Sequence, residues 1–311
     1  MARLRVVSDN DYAGDPDGLF QLAHLLLSTS VEVRTVIGSH LRSGDLFDSS
    51  DETATHAREA AETVVGLLGL TGRVPVVAGS NHPLRDRSIP VESDGARAIV
   101  AEAVRDDPRP LFVVLGGGLT ELASAYLLEP DIARRLTAVW IGGPEHPGLA
   151  VAPPRPEGAD PSEYNLCIDI AAAQVVFDSP IPLWQVPRDA YRQILVGRAE
   201  LEARVAPVGV LGAHLVERVR HTTAMLGAIG IDTGETFGLG DSPLVLLTAL
   251  QSAFEPDPSS SRYVTLPAPA IDDDGRYVPR ADGRPIRVYT QLDARLILED
   301  MIAKLARAGR T

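Results

Sequence analysis

The sequence predicts an α/β fold, a mainly parallel sheet flanked by helices on both faces with a small antiparallel addition near its end. Two observations carry this. Short apolar runs alternate with segments of helical periodicity through most of the 311 residues. No composition break, internal repeat or low-complexity stretch divides the chain, so residues 1–311 read as one domain.

The elements follow in order. Leu4 to Val7 is an apolar run long enough for a buried strand, and Leu19, Leu22, Ala23, Leu25 and Leu26 then recur at helical spacing. Val31 to Gly38 reads as the second strand, followed by a polar loop and a helix from about Thr53 to Leu70. Strands over 73–80, 111–118, 136–143 and 181–187 come next, with helices at Ala96 to Arg105, Leu119 to Leu128 and Ile170 to Phe177 between them. Residues 144–162, rich in Pro, Gly and Glu, read as a loop. From 188 to about 230 the chain reads as mostly helical, and Leu244 to Ala253 as an apolar helix. Two short strands, YVTLP and IRVYTQ, and a helix from Leu292 to Ala306 close the chain.

The first strand-to-helix loop draws the most interest, because Asp9, Asp11, Asp15 and Asp17 fall within nine residues. It leaves the carboxyl end of a strand, where open α/β sheets bind ligands. Asp15 fits an N-cap with Pro16 in the first helical position, but a cap needs one acidic residue and this loop has four. Like charges this close repel, and a bound cation or a raised pKa relieves them. An all-oxygen cluster selects a hard ion such as Ca2+ or Mg2+.

Bulk properties agree. A net charge of -13 argues against nucleic acid and anionic membranes and suits a carboxylate-lined cation site. Cys167 is the single cysteine, which excludes an internal disulfide and a cysteine-based zinc centre. No apolar run approaches the roughly 20 residues of a membrane span. Arg3 and Arg5 lead into a strand rather than a leader segment, so a cytoplasmic setting is expected.

Three later segments can converge with the aspartate loop. LGGGLTELA (115–123) lets backbone approach a ligand, or simply turns into a helix. Glu163-Tyr164-Asn165 with Asp169 offers sugar-binding groups, or a polar loop and a helix cap. GLGDSPLVLLTAL (238–250) places Asp241 at the mouth of an apolar helix, as a ligand or an N-cap. His24 lies in an apolar helix and reads as structural. His40 and His82 stand on loops at predicted strand ends, from which both can face the site, and His221 on a helical stretch that can line a pocket wall. No histidine pair has zinc-ligand spacing.

Taken in order, these segments resemble the inosine–uridine-preferring nucleoside hydrolase family over nearly the whole chain. DNDYAGDPDG resembles its opening DxDPGxDD-like loop, and Gly38-Ser39 its GN pair. VPVVAGSNHPL, LGGGLTELA, VWIGG, SEYNLCID and GLGDSPLVL resemble its later segments, as does the tail. The resemblance implies a single Rossmann-like, nucleoside-hydrolase-like domain that cleaves the N-glycosidic bond of a ribonucleoside or related N-riboside to ribose and free base. It implies a Ca2+ ion held by Asp11, Asp15 or Asp17, the Gly116 carbonyl and Asp241, with a metal-bound water whose proton Asp11 takes. Asp15, Ser39, His40, Glu163, Asn165 and His221 would contact substrate. A homodimer or homotetramer is also implied.

This chain departs from the family pattern at four points. The adjacent aspartate pair is spread into Asp15-Pro16-Asp17; counting forward from Asp11 selects Asp15 and counting backward from the helix selects Asp17. Gly240 stands where members often carry the histidine that protonates the leaving base, so that acid is missing, is not needed, or comes from His82, His40 or His221. TGPLTN has become GGGLTE, and Ser39 replaces an asparagine that can touch the sugar. Two rivals stand beside this reading. One is a degenerate member that binds ribosides without turnover. The other is a haloacid-dehalogenase-like phosphatase, which SDND and GLGDSP resemble; the chain's only lysine, Lys304, follows both motifs instead of lying between them.

Overall fold

A computed structural model describes residues 2–152, 163–252 and 260–310 of the chain. The elements run β1 (Leu4–Asn10), α1 (Asp17–Leu26), β2 (Val31–Gly38), α2 (Thr53–Leu67), β3 (Val76–Ala78), α3 (Asp94–Ala103), β4 (Leu111–Leu115), α4 (Thr120–Leu128) and β5 (Thr137–Ile141). Then come α5 (Tyr164–Ile168), α6 (Ile170–Asp178), β6 (Leu183–Val186), α7 (Arg188–Tyr191), β7 (Leu195–Gly197), α8 (Arg198–Arg204) and α9 (Gly209–Ala228). The chain closes with β8 (Thr236–Gly238), α10 (Pro243–Leu246), β9 (Arg262–Pro267), β10 (Ala270–Ile271), β11 (Tyr277–Val278), β12 (Pro285–Gln291) and α11 (Ala294–Ala308).

Among the described residues one sheet has the strand order β3-β2-β1-β4-β5-β6-β12-β9. All its pairings are parallel except β12 with β9. Successive side chains of a strand face opposite sides, so Val6 enters one apolar layer and Val7 the other. The first layer packs β1 on α1, α9 and α11; the second buries Trp140 and Phe177 beneath α3, α4 and α6. The strand order reverses direction between β1 and β4. That reversal opens a crevice at the carboxyl ends of these two strands.

The expected architecture is present, with differences in detail. β1 runs on to Asn10, because Asp9 and Asn10 continue the ladder with Ile37 and Gly38 of β2. Helix α1 starts at Asp17, and its cap position is Pro16 with no side-chain hydrogen bond, so Asp15 is not the cap. The stretch read as mostly helical from 188 to about 230 hides the strand β7, which pairs antiparallel with β8 from the glycine-rich segment just beyond that stretch. The expected apolar helix at Leu244 to Ala253 is the single turn α10, and Ala253 lies outside the described residues. The loop expected over 144–162 is described to residue 152, and 153–162 lie outside. The tail is less separate than expected: β12 pairs with β6, so β12 and β9 extend the main sheet. No helix among the described residues is long and apolar enough to cross a membrane.

Gly38 closes β2 where α2 crosses it, and a Cβ there would sit 2.2 Å from the backbone nitrogen of Arg58. Helix and strand must separate to admit a methyl group. Gly38→Ala is therefore expected to lower stability by about 1–3 kcal/mol, read as a shift of the urea midpoint at unchanged slope.

Candidate active site

The site grows out of the last residues of β1. The Asn10 side chain folds back so that its Oδ1 accepts from the Asp11 backbone N–H at 2.8 Å. Its Nδ2 then donates to Asp241 Oδ2 at 2.8 Å, across a separation of 231 residues. The Asp241 backbone N–H donates in turn to Asp17 Oδ2 at 3.1 Å. One amide thus ties the opening aspartate loop to the late GDSP segment. Gly116 at the end of β4 makes room for it, since a Cβ there would lie 2.3 Å from Asn10 Nδ2.

Around this tie lies a cavity of about 230 Å³, room for one small molecule. Asp11, Asp15, Asp17 and Asp241 give it an acidic lining, Asp241 buried and Asp15 exposed, beside Gly116, Glu163 and Asn165. Leu41, Phe47, Ile141, Tyr164 and Tyr191 supply apolar and aromatic walls. Burial and then the charges of Asp241, Asp15 and Asp45 raise the Asp11 pKa well above the usual carboxylate range. Asp17 is raised by burial and by Asp15 and Asp241. Asp241 is pushed up to about 8 by burial, with Asp15 adding repulsion that the hydrogen bond from Asn10 partly offsets.

A hard cation fits this chemistry. The donors are all oxygen, they repel one another, and both buried carboxyl oxygens of Asp9 behind them lack a hydrogen-bond partner. The Gly116 carbonyl accepts from Asn165 Nδ2 at 2.9 Å, which leaves it a second lone pair. Among the described residues no group of three or more His, Cys, Asp or Glu side chains is already drawn together tightly enough to hold a metal ion. Binding an ion would have to draw the carboxylates inward.

Glu163 is the most heavily engaged residue of the site. Its carboxylate accepts from the backbone N–H groups of Gly143 (2.7 Å), Leu166 (2.9 Å) and Asn165 (3.2 Å) and from the Tyr191 hydroxyl (3.0 Å). It caps α5, as one reading of this segment expected, and it also lines the cavity. Asp169 is a cap: it accepts from Ala172 N–H at 2.9 Å and from Thr120 Oγ1 at 2.8 Å.

Other expected residues lie elsewhere. His40 is buried beside the cavity, with Nδ1 on the Leu41 carbonyl and Nε2 on Thr120 Oγ1, both at 2.9 Å. Ser39 is buried next to Asp9. His82 is exposed in a separate surface depression with Pro83, Leu84 and Arg85, and His221 is exposed on α9. None of these four lines the cavity. His24 is buried, with Nε2 2.7 Å from Asp300, as its apolar helix suggested. Sequence reasoning missed Tyr191 and Phe47, which no spacing signalled. It also missed Asn10, whose place between two aspartates was the available hint.

The fold and site define an α/β protein with a carboxylate-lined ligand cavity at the switch point of a parallel sheet. The family model described as inosine-uridine preferring nucleoside hydrolase matches residues 6–260, and the chain belongs to that family. It is 30% identical over 201 residues to the inosine-uridine preferring nucleoside hydrolase of Leishmania major, covering 57% of each protein. It is 28% identical over 160 residues to the protein of that description from Crithidia fasciculata, covering 44% of this chain and 47% of that one. The matched stretches thus span about half the length of these relatives. Among solved structures, the purine-preferring ribonucleoside hydrolase of Gardnerella vaginalis superposes with a TM-score of 0.72 at 18% identity. That match covers 98% of this chain and 99% of the other, and shows a shared fold.

The raised Asp241 carboxyl has a consequence for stability. A group whose pKa is higher folded than unfolded stabilises the fold at low pH, and that contribution is lost as pH rises through the folded value. With chelator present, the melting temperature is expected to fall as pH rises from about 5 to about 8, a slope that Asp241→Asn flattens. Differential scanning calorimetry across that range is the check, and a rising melting temperature would contradict it.

Proposed function

We propose that this chain hydrolyses the N-glycosidic bond of a ribonucleoside or related N-riboside, releasing ribose and the free base. The observation that carries this reading is the meeting of Asp241 with Asp11, Asp15 and Asp17 in one small-molecule cavity, joined through Asn10. The family of the chain points the same way.

Asp11, Asp15 or Asp17, the Gly116 carbonyl and Asp241 would hold a calcium ion. When bound, that ion acidifies a water and grips a sugar diol. The remaining work belongs to the chain's own residues. Asp11, raised in pKa and set in the cavity lining, takes the proton of the attacking water. The lining carboxylates face the positive charge that develops on the sugar as the bond at C1′ breaks. Glu163 is held rigid by four donors and shapes the sugar side, and the Asn165 amide is fixed by the Gly116 and Ile141 carbonyls at 2.9 and 2.7 Å. Leu41, Phe47 and Tyr164 keep bulk water from the reacting carbon. A homodimer or homotetramer in the cytoplasm belongs to the same proposal.

Asp11→Asn is expected to reduce ribose release by about 100-fold or more with an unchanged circular dichroism spectrum. Near-normal turnover would remove Asp11 from the role of base. Asp241→Ala is expected to weaken calcium binding in titration calorimetry, and an unchanged affinity would remove Asp241 from the ion site.

A further inference from the structure

Each side-chain hydrogen-bond donor lining the cavity, among the described residues, is already turned onto a protein acceptor. The Tyr164 hydroxyl donates to Asp45 at 2.5 Å and the Tyr191 hydroxyl to Glu163 at 3.0 Å. Both N–H bonds of Asn165 are spent on backbone carbonyls. The other lining side chains are carboxylates or apolar, and no His, Lys, Arg, Ser, Thr or Cys is among them. Four donors on its two oxygens leave Glu163 with no proton to give. Carboxyls that hold the ion would be ionised by it and so would carry no proton to the leaving base; the loaded wall therefore offers a ligand acceptors and aromatic rings, and no general acid.

Sugar hydroxyls suit such a wall because they donate. A neutral nucleobase does not, because its nitrogen leaves with the bonding electron pair as an anion and needs a proton at once. A base with a fixed positive charge escapes this requirement. The pair from the C1′–N bond then passes to the ring nitrogen and quenches the charge, so the base departs neutral. The water oxygen bonds to C1′, and its proton passes to a carboxylate and on to solvent. Ribose, neutral base and one proton balance the equation. Phe47, Tyr164 and Tyr191 line the cavity with aromatic rings, whose π-systems attract a planar cation, and five lining carboxylates outweigh one divalent ion in formal charge.

Resting on the hydrolase reading above, we infer that the preferred substrates are N-ribosides whose base carries a fixed positive charge, N-ribosylpyridinium compounds being the simplest class. The full chain with calcium is assayed at neutral pH for ribose release from nicotinamide riboside, uridine and inosine. The cation is expected to give a kcat/KM at least about 100-fold above both neutral nucleosides, the loss that a missing general acid imposes. Comparable or faster cleavage of uridine or inosine overturns this preference and leaves the hydrolase reading standing. Absence of ribose from all three overturns both. A second measurement separates recognition from the intrinsic lability of the cation. 1-Methylnicotinamide is expected to compete with substrate about tenfold more tightly than neutral nicotinamide, and equal inhibition by the two overturns the inference.

Discussion

The structure depends on holding carboxylates together that electrostatics would drive apart. Asp11, Asp15, Asp17 and Asp241 share one cavity, and at least three of them pay for it in raised pKa. The apolar cluster that holds Tyr12, Leu19 and Phe20 with Leu239, Leu244 and Val245 brings the Asp241 segment near the opening loop, but it does not fix the carboxylate. The Asn10 amide does, by accepting from the Asp11 N–H and donating to the Asp241 carboxylate with one planar group. An aspartate at position 10 would add a fifth charge and lose the donor. Asparagine at this place is therefore as much a part of the site as the residues it joins.

The sheet makes that tie reachable. At the switch between β1 and β4 the crevice is open to ligand, yet Asn10 must fit against the backbone of the neighbouring strand's end. Gly116 permits this close approach. A ring of buried polar contacts outside the cavity then fixes the loops that frame it. His40, Thr120 and Asp169 form a chain that ends on the Leu84 N–H, at 2.8 Å from Asp169. These residues act by holding Leu41 and the end of α4 in place, which explains why His40 lies beside the cavity without lining it.

The parallel sheet, its order of strands and helices, and the acidic lining were legible in the sequence. Hydrophobic periodicity and the position of a charged loop at a strand end are local signals, and each survives in a single chain. What escaped were the walls. Phe47 and Tyr191 reach the cavity from a polar loop and from a four-residue helix, where no periodicity marks an inward face. The histidines mislead for the complementary reason: a loop at a strand end places His82 near the correct edge of the sheet but leaves its direction free, and it points to solvent. The strand β7 was lost because three residues are too short to overrule the helical periodicity around them, and β8 because its three residues sit among glycines that read as a loop.

The spread aspartate pair also finds its explanation here. Two counts along the sequence selected different residues, Asp15 and Asp17, and the structure gives them different places. Pro16 stands at the cap of α1, so the helix begins one residue later, at Asp17. That start points Asp17 inward, where its Oδ2 receives the Asp241 N–H. Asp15 is left exposed, still lining the same cavity. The proline therefore separates two carboxylates without removing either from the site. One carboxylate is thus engaged by the late segment while the other keeps its oxygens free of that contact, and the two counts along the sequence each select a residue that lines the cavity.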